Sequence, residues 1–575
     1  MKSKITALFL LLFSFVNGSD LDLFPVAYQG RIIPFKIYAE TILSHLSPPE
    51  NEPKTTFLIG LFALDHDSWD NDPLFSLSHK ELRSHFPAKK VSYNQIQSAF
   101  ETNADSLLAP VVASHIHKEK SNGKAYLELK TLAPGLWVKR SDQYFTIAQT
   151  PHTFPWNTLT KNQPITSQPA KSSYETALLT LIESVNLYTH IHNNPGYFHA
   201  LPTKRSWISI DNLLDETPTL YGSDIKSELR NSYIEYLNGS RDTLGTALIN
   251  AYKQIAGQPA QNGLKYPTLF QLRLELFYYQ FPFTLTMVAF YLLACLALSF
   301  RRWGLFLLLL GFALHTADLA IRLYLMGKPP VTNMSETIIY VPWISVAVGM
   351  IIYFFKRERI LLQSAAFLAS ILLALLPLFN LDVGIHNPQA VLNSQFWLSI
   401  HVMMVVASYG AFLLAGILGH LYLITRKDPL PSAILPTLYT GTILLITGTL
   451  LGGAWAAQSW GRFWDWDPKE SWAFISSCVY LVIIHLHRFG KIQEKGLAMG
   501  AVMGMLAISF TWYGVNFLLG TGLHSYGFGT GGVNYYLTYV LAEFIFIIWY
   551  ALPFENRRID FSVNKEYAKY TQKNI

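Results

Sequence analysis

Cysteine is almost absent from this sequence. The two cysteines of the 575-residue chain, Cys295 and Cys478, both fall within long apolar runs. This excludes a disulfide framework in the polar part of the chain and a CxxC redox pair. The protein is therefore not expected to carry out thiol chemistry with its own sulfurs.

Charged residues are also scarce. They make up 14% of the chain against 51% hydrophobic residues, which is too apolar for a soluble protein of this length. The charges are at ordinary density in 19–278, whereas 279–552 is a succession of apolar runs near the ~20 residues that cross a hydrocarbon core. The composition predicts a polytopic α-helical membrane protein with an amino-terminal exported domain of mixed α/β structure.

The first 18 residues have the layout of a secretory signal. Lys2 and Lys4 precede a short apolar stretch and then small polar residues up to Ser19. An uncleaved anchor is the alternative. From the amino terminus, the chain is expected to comprise a signal peptide or anchor at 1–18, an exported domain at 19–278, a transmembrane domain at 279–552 and a cytoplasmic tail at 553–575.

The apolar runs predict nine membrane spans: about 283–300, 304–325, 337–355, 360–379, 397–425, 434–453, 472–488, 496–517 and 536–552. Lysine and arginine cluster at every second boundary, as at Arg301 and Arg302, and the positive-inside rule places those boundaries in the cytoplasm. An odd number of spans agrees with an exported amino-terminal region. A tryptophan-rich loop at 454–471 is then expected on the outer face. The net charge of +6 follows from this topology and indicates no nucleic-acid partner.

The exported region has helical periodicity at 173–192 and 223–256 and strand-like alternation near 125–147. It contains no catalytic motif. Two histidine pairs, His115 with His117 and His190 with His192, have no third metal ligand in view, so they stay unassigned.

The stretch WGRFWDWDPKESW at 460–472 contains four tryptophans and three acids. An aromatic belt also enriches tryptophan at membrane interfaces, but a belt spreads over many helix ends. Indole supplies large rigid apolar faces, which suit a flat hydrophobic ligand such as haem. Its propionates would meet Arg462, Lys469 or the indole N–H groups.

The acids of this stretch are expected to brace the loop through hydrogen bonds to its backbone. Pro468 would form a turn before a helix that begins near Trp472, with Ser471 or Glu470 as its cap.

Haem also requires axial ligands, and histidine is the usual nitrogen donor. By the predicted topology, His401 lies at the outer end of the fifth span and His524 lies in the outer loop after the eighth span, so both are on the outer face. His386, in the preceding outer loop, is a rival for His401.

Further histidines lie at membrane depth, where ionisable groups are costly and usually functional. His315 shares a helical face with Asp318 and Arg322. His485 and His487, near the inner end of the seventh span, are alternatives for a haem deeper in the bilayer. His420 is expected to be structural.

Four stretches together resemble the CcsA (ResC) family of System II cytochrome c biogenesis, whose members carry the WWD motif of haem-handling proteins. They are WGRFWDWDPKESW itself, LHTADLAIRLYLMGKPPVTNMSETIIY at 314–340, SQFWLSIHVMMVVASYGAF at 394–412 and NFLLGTGLHSYGF at 516–528. The segment LFPVAYQGRIIPFKIYAETIL at 23–43 is similar to the exported portion of fused CcsB–CcsA proteins. The amino-terminal spans of CcsB, with their histidine, have no counterpart here.

The resemblance implies a holocytochrome c synthase (haem lyase) that binds haem b and supports its attachment to the CxxCH motif of apocytochrome c. It implies His401 and His524 as outer axial ligands and His485 as the membrane histidine, with His315 replacing or assisting the missing CcsB histidine. The family-matched positions of the haem-binding loop are Trp460, Trp464, Trp466, Asp467 and Trp472.

The implied partners are apocytochrome c, a CcsB/ResB-like subunit and thiol-reducing thioredoxin-like proteins. The implied location is the bacterial inner membrane, with the WWD loop on the periplasmic side. Two alternatives stay open: a transmembrane b-haem electron carrier, and a System I lyase of the CcmF type. The carrier has little use for an extended tryptophan loop.

Overall fold

The computed structural model divides the chain into two compact units, 1–282 and 283–575. The residues it describes are 21–28, 31–47, 69–77, 79–100, 173–193, 199–202, 207–209, 267–298, 302–379, 381–385, 395–427, 429–519 and 533–551, with shorter pieces of the amino-terminal unit.

The amino-terminal unit combines short strands with helices. Its strands are β1 (Pro25–Tyr28), β2 (Arg31–Pro34), β3 (Phe75–Ser76), β4 (Lys90–Val91), β5 (Lys139–Arg140), β6 (Gln143–Tyr144), β7 (His199–Pro202) and β8 (Trp207–Ser209). Among its described residues, the helices of four or more residues are α1 (Phe35–Ile42), α2 (Lys80–Arg83), α3 (Ser173–Asn193) and α4 (Leu269–Gln280). The sheets are antiparallel, and the largest has the strand order β2-β1-β7-β8. The predicted mixed α/β class is confirmed.

A single apolar core joins α1, the β3–β4 hairpin and α3. Phe35, Phe75 and Val185 are completely or almost completely buried in it. At its edge the hydroxyl of Tyr188 donates to Asp70 Oδ1 at 2.8 Å. The helix predicted at 173–192 is confirmed as α3, whereas most of 125–147 and 223–256 lies outside the described residues.

The second unit is helical throughout its described length. Its helices are α5 (Phe283–Ala297), α6 (Arg302–Met326), α7 (Met334–Lys356), α8 (Arg359–Leu378), α9 (Met403–Thr425), α10 (Pro431–Trp460), α11 (Pro468–Arg488), α12 (Glu494–Ser509) and α13 (Val533–Ala551). Two π-helical segments adjoin them, Leu398–Val402 before α9 and Phe510–Leu519 after α12.

Within the described residues, eight helices are long and apolar enough to cross a membrane, and α4 with α5 passes the same test as a ninth, broken span. The predicted polytopic membrane protein is therefore confirmed. The first predicted span, 283–300, is shorter than expected, because α5 ends at Ala297 after 15 residues.

Helix α9 packs against both α10 and α12. Small residues allow this close approach, as membrane helices require. A Cβ on Gly416 would lie 2.5 Å from Met505 Sδ, and one on Gly419 would lie 2.7 Å from the carbonyl oxygen of Ala498.

The tryptophan-rich segment is more helical than predicted. The expected loop, 454–471, is reduced to 461–467, because α10 continues to Trp460 and α11 begins at Pro468. Gly461 adopts φ +73 and ends α10, a conformation that glycine adopts without steric cost. Asp467 caps α11 by accepting from Lys469 N at 2.9 Å, so the predicted start near Trp472 and the caps Ser471 and Glu470 were wrong.

Candidate functional site

The loop between α10 and α11 is braced by its own acids. Arg462 and Asp465 form an ion pair at 2.6 Å, and Glu470 Oε2 accepts from Asp465 N at 2.9 Å. Trp466 has a left-handed backbone, φ +57, and is 72% exposed. The predicted hydrogen bonds from acids to the backbone are confirmed for Glu470 and Asp467, whereas the carboxylate of Asp465 pairs with a side chain instead.

His401 lies on the π-helix Leu398–Val402, against the neighbouring helix α10. Its Nδ1 lies 2.7 Å from the carbonyl oxygen of Gly448, and a Cβ on Gly452 would lie 2.5 Å from its Cε1. The Trp455 ring meets the imidazole edge to face, with 5.9 Å between centroids. Gly452 thus admits the imidazole, Gly448 binds it through its carbonyl oxygen, and an indole contacts it from the side.

The hydrogen bond to Gly448 determines the tautomer of His401. A carbonyl oxygen only accepts, so Nδ1 carries the proton and donates to it. The lone pair is then on Nε2, the nitrogen with which histidine ligates iron when its other nitrogen is held by a carbonyl. His401 thus has the geometry of an oriented metal ligand.

His401 and Trp464 line the same cavity, which contains about 1040 Å³ of empty space with its open mouth included. The lining is mostly apolar, and its aromatic members besides Trp464 are Tyr409, Trp455 and Trp512.

A few polar groups interrupt the apolar lining. Trp464 Nε1 and Asn516 Oδ1 are buried without a hydrogen-bond partner. The half-buried Lys469 donates from Nζ to the carbonyl oxygens of Thr511 and Trp512, each at 3.1 Å. A ligand with polar substituents on an apolar body matches this lining.

The other predicted positions of the tryptophan motif have different environments. Trp472 packs on Phe510, with 4.1 Å between ring centroids, and Trp466 is exposed. Asp467 is buried as the cap of α11. Trp460 is the last residue of α10, and its side chain lies outside the described part of the chain. Of the four described motif positions, Trp464 is the one that lines the cavity.

Sequence reasoning did not assign Trp455, Tyr409, Trp512 or Asn516 to the site. Helical spacing could have found some of them: Trp455 is three residues after Gly452, and Trp512 and Asn516 are four apart. Nothing local indicates Tyr409, because it reaches the cavity through the packing of α9.

His524 and His386, the rival of His401, both lie outside the described residues. His524 therefore stays a predicted second ligand, and the choice between His401 and His386 rests on the position of His401 in the cavity.

The two candidate histidines of the membrane site differ in environment. His485 is exposed on α11 and borders a recess shared with Tyr439, Ile443 and Thr447 of α10. Its Nδ1 donates to the carbonyl oxygen of Leu481 at 2.6 Å, which again leaves the lone pair on Nε2. His487 instead directs Nδ1 to Ile492 O, at 3.3 Å, in the turn after α11. These environments favour His485 over His487 as a ligand.

His315 is completely buried, and both of its ring nitrogens are hydrogen-bonded. Nε2 donates to the carbonyl oxygen of Ile339 at 2.8 Å, and Nδ1 accepts from the hydroxyl of Tyr291 at 3.0 Å. On the same helix Arg322 lies 3.5 Å from Asp318. In this arrangement neither nitrogen of His315 is available to iron, and the residue joins helices α5, α6 and α7.

His420 also uses both nitrogens. Nδ1 donates to Gly416 O at 2.8 Å and Nε2 lies 2.8 Å from Glu543 Oε2. As predicted, it is a structural contact, here between α9 and α13.

The matches to known proteins include the part of the chain that forms the cavity. The family model described as cytochrome c assembly protein matches residues 331–524, which contain the cavity. CcsA of Cuscuta exaltata is 30% identical over 261 residues, covering 38% of this chain and 83% of that protein. CcsA of Prochlorococcus marinus is 28% identical over 252 residues, covering 37% of this chain and 81% of that protein.

Protein NrfI of Wolinella succinogenes is 32% identical over 396 residues, covering 62% of this chain and 43% of NrfI. The chain therefore spans less than half of NrfI but more than four fifths of these CcsA proteins. The NrfI match covers more of the chain than 283–575 can supply, so it extends into the amino-terminal unit. By its membrane unit, this chain belongs to the CcsA family of cytochrome c biogenesis proteins.

Proposed function

We propose that the chain binds haem b between His401 and His524 and supports its covalent attachment to the CxxCH motif of apocytochrome c. The observation that carries this proposal is that His401, with its lone pair on Nε2, and Trp464 border one largely apolar cavity. Bis-histidine ligation would require His524, on the segment between the π-helix Phe510–Leu519 and α13, to supply the second nitrogen.

The residues of the cavity suit haem in three respects. An oriented imidazole supplies an axial ligand, and the edges of Trp455 and Trp512 offer apolar surface to a porphyrin. Lys469 offers a positive charge to a propionate. A histidine ligand held by one hydrogen bond on a π-helical turn can also be exchanged for the histidine of the substrate.

The attachment reaction requires no nucleophile from this chain. Each substrate thiol adds its S–H across one vinyl C=C of haem, so a thioether forms and no group leaves. The residues of this chain would hold the ring, orient its vinyl groups and exclude water, contributions that depend on position rather than on acid or base chemistry.

His485 supports a second haem position, deeper in the membrane. Both His401 and His485 border α10, one near Gly452 and the other near Ile443. Nine residues of helix correspond to about 13 Å along its axis. Haem passing outward would then move along one helix, from His485 to His401. Because His315 is hydrogen-bonded at both nitrogens, the second ligand of the inner haem would come from a CcsB/ResB-like partner.

The proposed setting is the bacterial inner membrane, with the amino-terminal unit and the 461–467 loop on the periplasmic side. The basic residues at alternate span boundaries support this orientation. Besides apocytochrome c and the CcsB/ResB-like subunit, thioredoxin-like proteins that reduce the CxxCH thiols are expected partners.

Spectroscopy and co-expression test the proposal together. The purified protein should show a low-spin bis-histidine haem b spectrum, which weakens in His401→Ala and in His524→Ala. Co-expression with a CcsB/ResB-like subunit and an apocytochrome c should yield haem-stained cytochrome that resists denaturing gel electrophoresis. A spectrum unchanged in both variants would contradict the outer site. A stable haem spectrum without any covalent product would favour the electron-carrier alternative.

A further inference from the structure

The cavity has more hydrogen-bond donors than its own residues satisfy. The Lys469 ammonium has three N–H donors, and two of them donate to the carbonyl oxygens of Thr511 and Trp512. Among the described residues, no carboxylate oxygen lies within 4 Å of its Nζ. Trp464 Nε1, also at the cavity, is a second donor that is buried and without a partner.

The position of Lys469 is held firmly. It is the second residue of α11, and its backbone N–H is bound by the capping carboxylate of Asp467. Its two carbonyl partners belong to the π-helix Phe510–Leu519. The side chain thus extends from the first turn of α11 to the backbone of this π-helix, and it cannot leave without breaking both bonds.

The acceptors of the cavity do not compensate for these donors. Glu470 also borders it, but its Oε2 accepts from the backbone of Asp465. Asn516 presents the buried acceptor Oδ1 while its Nδ2 donates to Trp512 O at 3.3 Å, the same oxygen that Lys469 contacts. A water molecule or a protonated carboxyl would serve that acceptor. An ammonium and an indole N–H at one largely apolar cavity match an anionic, oxygen-bearing group.

We infer that Lys469 and Trp464 form a carboxylate subsite, which takes one propionate of the haem bound at His401. The inference rests on the proposed function and adds an orientation to it. Iron ligation alone leaves the porphyrin free to rotate about the axial bond, whereas a second fixed point removes that rotation. With a propionate held at Lys469, the vinyl groups, which lie on the other side of the macrocycle, point away from this wall and toward the incoming thiols. Lys469 is in this sense a positioning residue.

The test compares two probes, haem and haem dimethyl ester, which differ in the propionate charges. Each is titrated into the purified full chain in lipid nanodiscs, and binding is followed at the Soret band. Lys469→Met should weaken haem binding about 10-fold or more while changing ester binding less than about 2-fold, because the ester has no charge to lose. Lys469→Arg should restore most of the haem affinity, since it keeps the charge.

Lys491→Met is the matched control, because it makes the same substitution at an exposed lysine in the turn after the opposite end of α11, outside the residues that line the cavity. It should leave both probes unchanged. Ester binding by Lys469→Met also shows that the variant is folded.

Three results would overturn the carboxylate subsite. They are unchanged haem binding in Lys469→Met, equal weakening of haem and ester, and a weakening of haem binding in Lys491→Met as large as that in Lys469→Met. In all three the wild-type protein still binds haem, so the proposed function survives. Absence of haem binding by the wild type would contradict the proposed function and this inference together.

Discussion

The imidazole of His401 lies directly against the backbone of Gly452, so closely that a Cβ there would come within 2.5 Å of His401 Cε1. Carbon atoms in contact are normally ~3.5–4.0 Å apart, so even a methyl group must displace the ring. Gly452→Ala is therefore expected to weaken haem binding about 10-fold, because overpacking of about 1–3 kcal/mol pushes Nε2 out of position. Soret titration of the purified variant measures this loss.

Gly441→Ala, on the same helix but away from the cavity, is the control. Its Cβ would lie 2.6 Å from the ring of Phe412, which is completely buried and does not line the cavity. It should leave haem affinity nearly unchanged. Equal effects of the two alanine variants would mean that α10 as a whole, rather than the His401 contact, is sensitive to substitution.

Part of this site could be predicted from the sequence and part could not. Span number, helical class and the candidacy of His401 follow from hydropathy and from the positive-inside rule, which depend on composition over long windows. The sequence alone does not predict that Trp464 lines the cavity while Trp472 packs elsewhere, because this difference depends on where α11 begins. Asp467 caps that helix rather than Ser471 or Glu470, and this turns Trp472 toward Phe510. The two hydrogen bonds of His315 also depend on tertiary packing, which no local pattern encodes.

The tryptophans of the motif should differ in their effect on haem. Trp464 lines the cavity with a buried indole N–H, whereas Trp466 is 72% exposed beside it. Trp464→Phe keeps an aromatic face but loses the donor, so haem affinity should fall about 10-fold or more, because a hydrogen bond to a charged group contributes about 1.5–3 kcal/mol. Trp466→Phe should leave haem affinity within about 2-fold, and Soret titration compares them.

Attachment of haem provides a separate readout for Trp466. An exposed indole beside the cavity mouth is suited to contact a protein substrate, since tryptophan is enriched at interfaces. Trp466→Ala should then reduce the yield of covalent cytochrome in cells while the haem spectrum is retained. If Trp466→Phe weakens haem binding as much as Trp464→Phe does, the distinction between the two rings is incorrect.

His315 is expected to stabilise the membrane unit rather than to bind haem. His315→Leu leaves the hydroxyl of Tyr291 and the carbonyl of Ile339 without their partner, at a cost of about 1–3 kcal/mol for each buried group. The apparent melting temperature in detergent should fall, while the low-spin haem spectrum per folded molecule is preserved. Tyr291→Phe removes only one of the two hydrogen bonds of His315, so it should lower the melting temperature less. Loss of the low-spin spectrum in His315→Leu but not in Tyr291→Phe would instead identify His315 as a ligand.

The hydroxyl of Tyr188 should make the amino-terminal unit sensitive to alkaline pH. Burial and the hydrogen bond to Asp70 raise the pKa of Tyr188 above its ordinary value. The folded state therefore keeps this proton where the unfolded chain loses it, so the contribution is complete below a pH of about 10 and declines as pH rises above it. Tyr188→Phe should lower the free energy of unfolding by about 1 kcal/mol at pH 8. The difference in unfolding free energy between the variant and the wild type should be smaller at pH 11. Hydrogen exchange of α3 in the full-length protein measures this difference at each pH. The other groups that titrate at alkaline pH are the same in both proteins, so their effects cancel in the comparison. A deficit that stays constant from pH 8 to pH 11 would show that the Tyr188 proton is not coupled to folding.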